Sequence, residues 1–103
     1  MKIQTPTKTY LVIKVPIEES EAGWGRKTDD WMVCLTKEDA KAFEKEYNQP
    51  NVADYAKTKT VPSWYMQADA SRAVALDITD KQMKALMKTK NKRMYLSSLR
   101  KIV

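Results

Sequence analysis

The sequence predicts a single α+β domain, an antiparallel sheet with two helices. Three observations lead there. The chain has 103 residues, the size of one domain and enough to bury roughly 65% of the surface of the unfolded chain. Two strand-to-capped-helix junctions share one pattern 43 residues apart. Each junction is followed by a further apolar segment that can return to the sheet.

Residues 8–15 (KTYLVIKV) are β-branched and aromatic, which suits a strand, and Pro16 removes a ladder donor at its end. Residues 17–30 are polar, acidic at first and then flanked by glycine around Trp24, with neither period, so a long loop is expected. Residues 31–35 (WMVCL) are apolar on both faces, as in a central strand covered on both sides.

Thr36 then caps a helix through the amide of Asp39. Ala40, Phe43 and Tyr47 form its inner face, and Pro50 ends it near Asn48. Residues 51–60 read as a connection, and residues 61–67 as an edge strand, because of Pro62. Val74, Leu76 and Ile78 alternate cleanly. Thr79, with Gln82 three residues on, is a capping box opening a second helix. Met83, Leu86 and Met87 point inward there, and Asn91 is the expected left-handed terminator. The tail, residues 92–103, fits a helical stripe by period and a strand by architecture.

The shared pattern runs apolar, any, apolar, Thr, then Lys-Ala-apolar, Lys and Asn. It joins Val33, Leu35, Thr36, Lys41, Ala42, Phe43, Lys45 and Asn48 to Leu76, Ile78, Thr79, Lys84, Ala85, Leu86, Lys88 and Asn91. Any two capped junctions converge on this grammar, because each residue type has a local reason to be there. Two successive β-α-β units describe the ferredoxin-like βαββαβ arrangement, here with an added N-terminal strand. The alternative is an antiparallel sheet with three helices, the tail being the third.

Composition narrows the chemistry. There is no histidine and one cysteine, which removes imidazole bases, triads, His-ligated metals and internal disulfides. Only Gly23 and Gly25 are present, too few for a phosphate loop or dinucleotide fingerprint. Cys34 sits in an apolar strand with no base to activate it. The acid pairs Glu18-Glu19 and Asp29-Asp30 could hold a hard cation with Glu21 but read as solvated charge. A non-catalytic protein without cofactor or metal is expected. No stretch approaches the roughly 18 apolar residues of a membrane span, and residues 1–16 lack the parts of a signal peptide. A cytoplasmic protein that does not touch membranes follows.

The net charge of +6 conceals a split: residues 1–56 carry −2 and residues 57–103 carry +8. After Asp80 there are eight bases and no acid, so this end should project an uncompensated positive field. Lys81, Lys84, Lys88 and Lys92, extended by Lys90, Arg93, Arg100 and Lys101, are the candidate polyanion-binding residues. The RNP1 signature of RNA-recognition motifs is absent. Trp24, with Arg26 and Lys27, is the candidate protein-binding tip, because Trp beside Arg is the composition of binding hot spots. Two functions are therefore expected. One is docking on nucleic acid. The other is capture of a nucleic-acid-processing enzyme by an inhibitor or adaptor, as in the small accessory proteins of bacteriophages.

Overall fold

The computed structural model describes residues 8–103. Its elements are β1 (Thr9–Glu21), β2 (Gly25–Cys34), α1 (Lys37–Thr58), β3 (Trp64–Ala68), β4 (Val74–Thr79), α2 (Asp80–Lys88), β5 (Met94–Tyr95) and α3 (Leu96–Leu99), with a 3₁₀ turn, Ala70–Arg72, between β3 and β4. All strand pairs are antiparallel in one sheet. The α+β domain expected from the sequence is present. Among the described residues there are three helices, as in the alternative arrangement, and the order β3-β1-β2-β5 makes β1 and β2 the inner strands. Strands β3 and β4 lie end to end along the same side of β1, so both are outer strands.

That arrangement explains why Pro16 does not end β1, which continues to Glu21. Alternate residues of a strand bond to opposite neighbours. Pro16 belongs to the set facing β3 and β4, where its carbonyl accepts from Asp69 N–H at 3.1 Å. It falls where β3 gives way to the 3₁₀ turn before β4 begins, so its missing donor interrupts no ladder.

The expected loop over residues 17–30 is instead the outer half of the β1–β2 hairpin. Ala22-Gly23-Trp24 makes the turn, closed by Trp24 N–H to Glu21 C=O at 3.0 Å. Gly23 and Gly25 have φ of 82° and 85°, a region open to glycine at little cost. A bulge after Ile17 gives β2 one extra residue, Asp29. The polar strand carries no apolar period because only its inner half is sandwiched.

Helices cover the two sheet faces unequally. Helix α1 closes one face over Val15, Ile17, Met32, Cys34 and Ala68 with Ala40 and Phe43. Helices α2 and α3 close the inner half of the other, with Leu86, Leu96 and Leu99 on Val12, Val33 and Ile78. Strand β2 is covered on both sides, as its apolar run required. Helix α1 starts at the Thr36 cap, 3.1 Å from the amide of Asp39. It runs past Asn48 and through Pro50 to Thr58. Its second half is held on β3 by side chains: Asn48 exchanges two hydrogen bonds with Ala68 at 2.8 and 2.9 Å, and Asn51 donates to Met66 C=O at 2.6 Å. These bonds use the outward backbone groups of edge strand β3 and offset the donor lost at Pro50. Lys59, in the left-handed region, ends the helix.

Candidate functional site

Helix α2 is short and firmly started. Thr79 accepts from Gln82 N–H at 3.1 Å, and the Gln82 side chain accepts from Thr79 N–H at 2.9 Å. Leu86 is fully buried, Met83 is half-buried, and Met87, expected inside, is exposed. The left-handed residue after the helix is Lys92, φ 55°, and not Asn91. Lys81, Lys84, Lys88, Lys90 and Lys92 are all exposed.

The candidate cations divide into three kinds. Arg93 is structural: its side chain is 12% exposed and donates to Asp39 at 2.7 Å and Glu46 at 2.6 Å. It also lies over the Phe43 ring, 5.6 Å from the centroid. Those bonds, Asp39 first, raise its pKa further and keep its charge inside the fold. Two carboxylates from the first half of the chain thus remove Arg93 from the surface set. Lys84 pairs with Asp80 at 3.0 Å one helical turn away. The hydrogen bond to Lys84, then that from Tyr10, holds the Asp80 carboxyl below its ordinary range. Lys81 donates to the main-chain oxygen of Val103 at 2.5 Å. Lys88, Lys90, Lys92, Arg100 and Lys101 have no carboxylate partner among the described residues. The positive end therefore survives the loss of Arg93.

At the opposite end, Trp24 is 84% exposed on the hairpin turn and does not fold back over the sheet. The turn is braced by Ala22 N–H donating to Ser63 C=O at 2.7 Å. Arg26 and Lys27 occupy successive strand positions and point to opposite faces. Lys27 pairs with Glu19 at 3.5 Å. Trp64 donates its indole N–H to Glu19 at 2.7 Å, which lowers the Glu19 pKa. Trp24 and Arg26 border a cavity of about 260 Å³ with Glu19 and Glu21.

The acid pairs do not converge on a cation. Glu18 and Glu19 point to opposite faces, the first to Arg72 at 3.1 Å and the second to Lys27 and Trp64. Burial pushes the Cys34 thiol up to about 12, so it is protonated at neutral pH.

Sequence reading missed one group: Lys14, Trp31, Tyr65 and Arg72. The Lys14 ammonium stands 4.3 Å from the Trp31 ring centroid. Its signal lay in residues 14–20 and 26–31, where polar and large side chains alternate once the segment is known to be a hairpin. Among the described residues no helix is long and apolar enough to cross a membrane. No family model, curated protein or solved structure matches this chain.

Proposed function

We propose that this chain is a non-catalytic cytoplasmic binding protein that docks on a polyanionic surface, nucleic acid foremost, through α2, the turn after it and the segment following α3. One observation carries the reading. Five cations, Lys88, Lys90, Lys92, Arg100 and Lys101, have no carboxylate partner among the described residues, and the only acid after Thr79 is already taken by Lys84. Each phosphate they neutralise releases counterions, which provides affinity without reading sequence. Lys81 lies exposed on the same helix.

The exposure of Trp24 favours a second reading, an inhibitor or adaptor that seats the hairpin tip in a protein partner and uses the basic end for steering. Affinity pull-down with and without nuclease separates the two. Capture of nucleic acid that disappears with nuclease supports the first. Capture of a protein that survives nuclease and is lost with Trp24→Ala supports the second and contradicts the first.

A further inference from the structure

One face of the sheet is covered by α2 and α3 only in part, and at its β3 margin Tyr65 and Gln67 line a groove with Asn51, Val52 and Tyr55 of α1. Paired residues across antiparallel strands share a face. On the side of α2 and α3 the register gives Lys14 with Val33 and Val74, Pro16 with Trp31, Glu18 with Thr28 and Gln67, and Ser20 with Arg26 and Tyr65. Helices α2 and α3 cover the first part of this face, over Val12, Val33 and Ile78, and Trp31 packs at the margin of that cluster. Beyond Trp31 the face runs to the hairpin tip. From Lys14 to Ser20 it spans about 20 Å at the usual rise of a strand.

Its chemistry is specific. Two half-buried rings, Trp31 and Tyr65, stand on opposite sides of β1, offset along it by about 13 Å at four residues of strand rise. Three cations stand on this face: Lys14 over the Trp31 ring, Arg26 across Ser20 from Tyr65, and Arg72, which pairs with Glu18 and whose side chain is 63% exposed. The acid on this face, Glu18, is 1% exposed and lies beneath Arg72. Glu19 and Glu21 point to the opposite face. Aromatic rings interleaved with cations on a sheet are the surface on which unstacked bases sit while the phosphates follow the charges. A duplex keeps its bases stacked inside and offers these rings nothing.

We infer that the open face of the hairpin, with Trp31 and Tyr65 as stacking rings and Lys14, Arg26 and Arg72 as phosphate contacts, binds single-stranded nucleic acid. The inference deepens the polyanion reading and rests on it.

Fluorescence anisotropy at low salt, with a labelled mixed-sequence 20-nucleotide strand and the same sequence as a duplex, tests it on the full chain. The single strand is expected to bind at least tenfold more tightly. Tyr65→Leu should weaken it about tenfold, within the range for one stacked base, and leave the duplex within twofold. Arg26→Glu, at an exposed position, should weaken the single strand about as much and carries the test if Tyr65→Leu proves unfolded by circular dichroism. Equal affinity for both forms, or a single strand indifferent to the folded variants, overturns the inference and leaves the polyanion reading standing. No binding of either form overturns both.

Discussion

The two ends of this molecule use the same two long strands, β1 and β2, differently. At the inner end helices cover both faces, and thirteen apolar residues there and on the covering helices are buried. At the outer end, that of the hairpin arm, α1 runs along the edge of β3, and the face away from the α1 core carries Lys14, Trp31, Gln67, Tyr65 and Arg26. The inner end supplies stability and the outer end presents side chains. A radius of gyration of 16.7 Å, against about 13 Å for a compact domain of this length, reflects the projecting arm. Interior packing governs one end, whereas the open face of the other is only partly packed, with Trp31, Tyr65 and Gln67 half-buried.

Substitutions can break or sharpen that contrast. Leu86→Ala, at a fully buried site joining α2 to the sheet, should cost about 3 kcal/mol in urea denaturation. Arg93→Ala should cost about 2 kcal/mol, because it strands Asp39 and Glu46 and uncovers Phe43. Lys88→Ala, in the same basic segment, should change stability by less than about 0.5 kcal/mol. A small effect of Arg93→Ala would return that residue to the binding surface. Asn48→Ala should cost about 1.5 kcal/mol by freeing both backbone groups of Ala68. Limited proteolysis should then cut first in the outer half of α1. Trp24→Ala should leave stability within about 0.5 kcal/mol, and a larger loss would mean that the tip is part of the core.

The inner end was legible in the sequence because its rules are local. Thr36 and Thr79 cap the helices they were assigned to, Trp31 to Cys34 form the doubly covered strand, and Leu86 is the anchor of α2. The arm was not legible. Its hairpin strands, residues 18–21 and 25–30, are mostly charged and polar, so no apolar period marks them. Pro16 and Pro50 read as terminators because their meaning depended on distant partners: the 3₁₀ turn beside Pro16, and the bonds of Asn48 and Asn51 to β3. The same limit applied to the candidate site. The exposure of the α2 lysines followed from helical period, whereas the withdrawal of Arg93 depended on Asp39 and Glu46, more than 40 residues away in the chain.

The smallest expected effect is on pH. The Trp64 bond lowers the Glu19 pKa in the folded chain below its ordinary 4.5. The contact therefore adds stability above about pH 4.5 and loses it as pH falls through the lower folded value. The Trp64 indole N–H resonance should titrate with a midpoint below 4.5, and Glu19→Gln should abolish that titration. A midpoint at or above 4.5 would remove Glu19 from the brace of the arm.

The unneutralised charge of the α2–α3 end is tested most directly by the salt dependence of oligonucleotide binding. For the native chain the logarithm of the affinity should fall linearly with the logarithm of salt concentration. Lys88→Glu with Lys92→Glu should reduce the steepness by about 1.4 to 1.8, the contribution of two phosphate contacts. A slope that the double variant leaves unchanged would show that these ammonium groups meet no phosphate and would contradict the account.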